Sequence, residues 1–228
     1  MAASHNIVLV IAAHPDDETI GMGGTIHKLI QRGDEVHILF LSTGVGSRDC
    51  DREDADSRLS AAKRALILLG CERIYYGNFP DNAFDSVELL VVAKFIENIV
   101  NKIKPGLVFT NFHGDLNTDH RITAEATLVA ARPKPSSTID ELYFYEVLSS
   151  TGWKFGGKSF SPNYFVDITK SISVKEAALQ QYKTEMDESP NARSYESVTA
   201  LARHRGNFIG VHYAEAFEIA FIRKVERP

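Results

Sequence analysis

An unbroken apolar run, Ile7-Val8-Leu9-Val10-Ile11-Ala12, stops at Ala13-His14-Pro15-Asp16-Asp17-Glu18, and no other segment constrains the chain as strongly. Apolar, mostly β-branched residues without polar alternation describe a strand covered on both faces, the condition of a strand inside a parallel sheet. Thr19 to Arg32 follows with Ile20, Ile26, Leu29 and Ile30 at helix-compatible spacing, and Gly33 ends it. Strand, loop and helix in that order form the first unit of an α/β sheet.

The unit repeats. Val36 to Leu41 reads as a second strand, followed by a loop with Gly44 and Gly46 and a charged helix from about Asp51 to Leu69, closed by Gly70. Arg73 to Tyr76 is a short third strand, Ser86 to Lys102 a helix, Leu107 to Thr110 a buried strand after Pro105-Gly106, and Asp119 to Ala131 a helix. Strands separated by helices need right-handed crossovers, so a Rossmann-like α/β layer structure is expected, its mostly parallel sheet flanked by helices on both faces. Pro133 and Pro135 then interrupt the rhythm. The strands Leu142 to Val147, Tyr164 to Ile168 and Ala216 to Ile222, with helices near Ser171 to Tyr182 and Ser194 to Arg203, read as a C-terminal α+β elaboration; Gly152 to Ser161 is a loop. At 228 residues the chain is the length of one large domain, 1–228.

Composition narrows the function. The net charge is −5, with no sustained Lys/Arg block, which leaves little attraction for a nucleic-acid backbone or an anionic membrane. Hydrophobic residues at 44% and charged residues at 24% are ordinary for a globular protein. The first apolar run lacks a basic flank and reads as a strand, not a signal-peptide core or membrane anchor, so a cytoplasmic protein acting on a small molecule is expected. Cys50 and Cys71 lie in no Cys/His ligand spacing and read as free thiols.

Two polar clusters stand out. His14-Pro15-Asp16-Asp17-Glu18 follows the first strand, and His113-Gly114-Asp115-Leu116-Asn117-Thr118-Asp119-His120-Arg121 follows the strand Leu107 to Thr110. Both fall at the carboxyl ends of strands, where open α/β sheets place ligands. A Pro-containing turn lets His14 and Asp17 converge, and a histidine from the second cluster can complete a three-ligand set open to substrate. The plainer reading makes the first cluster a solvated, helix-capping turn, Asp119 an N-cap and His120 a first-turn polar residue. Gly21-Met22-Gly23-Gly24 is no dinucleotide fingerprint, because Ile26 occupies the place of the last glycine; these glycines suit close packing of helix on sheet.

Ala13-His14-Pro15-Asp16-Asp17-Glu18, the later Asp119-His120-Arg121 and Ala214-Glu215-Ala216-Phe217 resemble the LmbE-like family of zinc de-N-acetylases, which includes the deacetylase of N-acetylglucosaminyl-phosphatidylinositol (PIG-L). The resemblance covers nearly the whole chain. It implies zinc held by His14, Asp17 and His120, with Asp16 as general base, in an enzyme that hydrolyses the N-acetyl amide of an amino sugar. It also implies a homo-oligomer, trimer or hexamer.

The chain departs from the family at Asn117, where many members carry a histidine that stabilises the oxyanion or protonates the amine. Either Asn117 gives only a hydrogen bond there, or His212 supplies the proton, with His113 as its rival. Arg58 and Asp81 are candidate substrate contacts, with His113, while Glu18 more naturally braces the loop. Phe84 and Trp153 are minor candidates for stacking on a sugar ring. Two other readings stay open. A metal-dependent phosphoesterase explains the acids but calls for two metals and more basic contacts, and a non-catalytic sugar- or metal-binding member has no use for Asp16.

Overall fold

A computed structural model describes residues 6–43, 52–153 and 157–226, with no side-chain description for 52–56. The loop with Gly44 and Gly46, Cys50, and part of the segment Gly152 to Ser161 lie outside the described residues.

The chain runs β1 (Ile7–Ala12), α1 (Asp17–Gln31), β2 (Glu35–Phe40), α2 (Arg52–Leu69), β3 (Arg73–Tyr76), α3 (Leu89–Ile103), β4 (Leu107–Asn111), α4 (Thr118–Ala131), β5 (Glu141–Tyr145), α5 (Leu148–Thr151), β6 (Tyr164–Asp167), α6 (Ile172–Leu179), α7 (Tyr195–Ile209) and β7 (Ala214–Ile222). Its strands form one seven-stranded sheet in the order β3-β2-β1-β4-β5-β7-β6. The first five are parallel, and β7 lies antiparallel between β5 and β6. The expected α/β class and mostly parallel sheet are therefore present, and the C-terminal part joins that same sheet. Among the described residues no helix is long and apolar enough to cross a membrane.

The strand pleat divides the core. Val8, Val10 and Ala12 of β1 pack with residues of α1, α2, α6 and α7, whereas Leu9 and Ile11 pack with α3 and α4 on the other face. Every residue from Val8 to Ala13 is fully buried, which explains the unbroken apolar run.

Element ends differ from expectation in three informative places. α1 begins at Asp17, so two acids of the first cluster sit in its first turn, where helix amides and dipole favour negative charge. A 3-10 turn, Phe84–Ser86, precedes α3, which starts at Leu89 and not at Ser86. α7 continues past Arg203 through Gly206 to Ile209, and the returning chain packs on that glycine: a Cβ there would sit 2.7 Å from the Val211 carbonyl oxygen. The α1 glycines serve close packing, since a Cβ on Gly21 would meet the Tyr145 ring at 2.4 Å and one on Gly24 would meet Ile168 at 2.9 Å. α1 is also broken at Met22, whose φ of −150° and ψ of 23° leave the helix.

Candidate active site

β1 and β4 are neighbours in the sheet although about a hundred positions of sequence separate them, with Ile11 beside Thr110. Crossovers run in opposite directions from this pair, and such a switch point opens a crevice at the carboxyl edge. Both clusters enter that crevice. Asn111 ties them together: its Oδ1 accepts from the Ala13 amide at 3.0 Å, and its Nδ2 donates to Asp17 Oδ2 at 3.2 Å.

Between His14 and Asp17 the chain makes an abrupt turn. Asp16 takes a φ of 114°, a region side-chain-bearing residues seldom adopt. The turn is fixed by its surroundings: the Asp16 amide donates to Glu18 Oε2 at 3.0 Å, and Arg58 donates to the Pro15 carbonyl through Nε at 3.2 Å and Nη2 at 3.1 Å. Glu18 also accepts from the hydroxyls of Thr19 at 2.5 Å and Tyr182 at 2.9 Å, so it braces the loop. Backbone strain of about 1–3 kcal/mol held at one residue is characteristic of functional sites.

His14, Asp17 and His120 are buried and offer ligand atoms within 4.8 Å of one another. Asp17 Oδ2 lies 3.6 Å from His14 Nδ1 and 3.2 Å from His120 Nε2. The other ring nitrogens are held by carboxylates: His14 Nε2 by Asp119 at 2.9 Å and Asp81 at 3.2 Å, His120 Nδ1 near Asp115 at 3.4 Å. Outer carboxylates that orient ligating histidines are the usual support of a metal centre. Asp115 is itself fixed by the Thr151 hydroxyl at 2.5 Å and the Asn117 amide at 2.8 Å. A second grouping, His14 with Asp81 and Asp119, meets the same distance test. It fits an ion less well, because Asp119 already accepts from the amides of Asn82 at 2.7 Å and Phe84 at 3.0 Å. The His/Asp/His set has the donor types and number that a catalytic zinc takes from protein.

Electrostatics agree. Burial works against protonation of His14, but its bonds to Asp119 and Asp17 outweigh it and raise the ring to about 9. For His120 burial is likewise overcome, by Asp17 and then Asp115, and the ring rises to about 10. Burial alone would raise Asp17, yet the two histidines hold it well below the usual carboxylate range. Without a metal, both rings are thus charged at pH 7, and a cation binding there must displace those protons. We expect zinc uptake at pH 7 to release about two protons per ion, and apparent affinity to climb with pH until about 9 to 10. Titration in weakly buffered solution with a pH indicator measures this; release well below one proton would contradict it.

The triad opens into a polar pocket of about 160 Å³, lined also by Asp16, Arg58, Asp81, Asn82, Asn117, Ser149, Ser150, Glu185 and Arg193. A larger cleft of about 760 Å³ between α1 and strands β5 and β6 has no histidine or cysteine among the described residues that line it, so size does not locate the chemistry. Arg58 and Arg193 both bond Asp16 Oδ2, and Asp16 Oδ1, although buried, has no hydrogen-bond partner among the described residues.

The structure brings His14, Asp16, Asp17, His120, Arg58, Asp81 and Asn117 to one pocket. Asn117 has a definite local task as the N-cap of α4, its Oδ1 accepting from the Asp119 amide at 2.8 Å. Two candidates need correction. His212 is exposed in the turn between α7 and β7, and it does not line the pocket. His113 also lies outside it; its ring packs against Phe112 and Phe144, and Nε2 accepts from Lys158 Nζ at 3.1 Å. Phe84 is fully buried, with its ring centroid 6.1 Å from that of His14, and is a wall of the core, while Trp153 is exposed. Sequence reasoning missed Asn111, Glu185 and Arg193, and took Asp119 for a cap. A signal existed only for Asp119, which precedes a candidate ligand.

Comparison with known proteins agrees with this geometry. The family model for GlcNAc-PI de-N-acetylase (PIG-L) matches residues 9–131, a span containing both clusters. Over 223 aligned residues the chain is 31% identical to diacetylchitobiose deacetylase of Thermococcus kodakarensis, covering 91% of this chain and 80% of that protein. The structure of N,N'-diacetylchitobiose deacetylase from Pyrococcus horikoshii superposes with a TM-score of 0.76 at 26% identity, covering 94% and 83% of the two chains. GalB, the 4-carboxy-2-hydroxymuconate hydratase of Pseudomonas putida KT2440, is similar in fold at 21% identity and a TM-score of 0.77, covering 98% and 99%. A fold that carries different chemistries leaves function to the site. With the family's span covering both strand-end clusters, this chain belongs to the PIG-L family of GlcNAc-PI de-N-acetylases.

Proposed function

We propose that this chain is a zinc-dependent hydrolase that removes the N-acetyl group of an amino sugar, releasing acetate and a free amine. The observation that carries the reading is the buried His14, Asp17 and His120 set beside Asp16, which lines the same pocket and whose Oδ1 has no hydrogen-bond partner among the described residues. The deacetylases among its relatives support the substrate class. A cytoplasmic location and a homo-oligomeric state belong to the same proposal.

His14, Asp17 and His120 would hold the zinc, which when bound would supply Lewis acidity toward the amide carbonyl and lower the pKa of water toward about 7. The protein's own groups do the rest. Asp16 takes the proton of the attacking water and carries it to the departing amine, since among the described residues no histidine other than His14 and His120 lines the pocket. Asn117 lines the same pocket and gives at most a hydrogen bond. Asp81 and Asn82 also line the pocket and are the candidates for contacting sugar hydroxyls. A pocket of about 160 Å³ has room for an acetamido group.

The test is acetate release from a panel of N-acetylated mono-, di- and nucleotide sugars by zinc-loaded protein, with a chelator control. Chelator-sensitive release from one substrate class is the expected result. Release of phosphate from phosphorylated sugars, or binding without turnover, would replace this reading with a phosphoesterase or a binding protein.

A further inference from the structure

We propose that Arg193 is a positioning residue for Asp16, pinning one carboxylate oxygen so that the other is presented to the reaction. The inference rests on the reading of Asp16 as general base. Asp16 is 1% exposed, and its Oδ2 receives Arg58 Nη2 at 3.1 Å and a second guanidinium, that of Arg193. Oδ1 is buried without a hydrogen-bond partner among the described residues. A carboxylate oxygen left bare in the interior is costly. That cost has a purpose if Oδ1 is the atom that accepts the proton.

The two arginines are not equivalent. Arg58 is anchored mainly elsewhere: two nitrogens reach the Pro15 carbonyl, and Glu185 lies 3.3 Å from Nη2. One contact from so committed a group leaves the carboxylate free to turn. Arg193 supplies the second contact on the same oxygen. Its approach is built, since Nε donates to the Glu185 carbonyl at 3.0 Å, its amide donates to Asn191 Oδ1 at 2.8 Å, and the next residue, Ser194, caps α7. The segment between α6 and α7 thereby holds a guanidinium on Asp16 and not, among the described contacts, on His14, Asp17 or His120.

The experiment compares zinc-loaded wild type with R193A and R193K for zinc content, kcat and KM, adds guanidinium chloride to R193A, and determines the R193A crystal structure. Expected are wild-type zinc content, a kcat about 10²-fold lower in R193A, and KM within about threefold. Partial activity in R193K, recovery of R193A by about tenfold in tens of millimolar guanidinium, and an Asp16 carboxylate turned from its wild-type position complete the expected result. An Asp16 side chain that keeps its place in R193A, a kcat within about threefold of wild type, or a loss that neither lysine nor guanidinium reverses would overturn the inference. The crystallographic readout needs no substrate. It decides the inference even where wild type deacetylates nothing, the outcome that counts against the functional reading.

Discussion

Asp16→Asn is expected to retain zinc and lose about 10³-fold or more of kcat, whereas Asp17→Ala and His120→Ala are expected to lose the metal itself. The contrast comes from one turn. Asp17 Oδ2 faces both histidines, while the Asp16 carboxylate faces the two arginines. Asparagine is the conservative change, because it tolerates the positive φ of this position and keeps an oxygen for the arginines but cannot take a proton. Elemental analysis after dialysis, beside an acetate-release assay, separates the effects. Equal metal loss in all three variants would break the division of roles.

Glu215→Ala destabilises the fold by about 3–5 kcal/mol, a large share of the 5–15 kcal/mol typical of a domain. The break at Met22 gives the second half of α1 its own amino terminus, with amides that need acceptors. Glu215 from β7 supplies them: Oε1 accepts from Gly24 at 2.9 Å and Oε2 from Thr25 at 2.6 Å. Lys175 of α6 closes the joint, its Nζ donating to Glu215 at 2.6 Å and to the Ile20 carbonyl, at the end of the first half, at 2.8 Å. Truncating Glu215 leaves a buried ammonium and two buried amides at once. Urea unfolding measures the loss, and the double change Glu215→Leu with Lys175→Met should cost less than Glu215→Ala alone, because no unpaired charge remains. A loss under about 1 kcal/mol for Glu215→Ala would show that the pair is solvated, contrary to its burial.

The fold was legible where burial is symmetrical. β1, β2 and β4 are covered on both faces, so β1 is a continuous apolar run and β2 and β4 are largely apolar, broken by His37 in β2 and by Thr110 and Asn111 at the end of β4. The place of β7 between β5 and β6 was not legible, because pairing order depends on packing that local pattern does not encode. Within the site, the clusters at the ends of β1 and β4 announced themselves by composition and position, and the resemblance assigned His14, Asp17 and His120 as ligands. Asp119 was hidden by its ordinary alternative as a helix cap, and Arg193 by lying in a loop far along the chain. The expectation for His212 came from a demand for a proton donor without any distance to constrain it. Its exposed place outside the pocket lining removes His212 from that role.

The position of β7 has a consequence for assembly. It is the last of the seven strands to be synthesised, yet it occupies an interior place in the sheet. Until it arrives, β5 and β6 have no common neighbour and present unpaired edges, a hazard for association with other chains. The carboxylate that joins the halves of α1 is missing for the same interval. The amides that open the second half of α1 therefore gain their acceptor only once β7 is in place, whereas the loop bearing His14 and Asp17 is held by Asn111, Arg58 and Glu18, all from earlier in the chain.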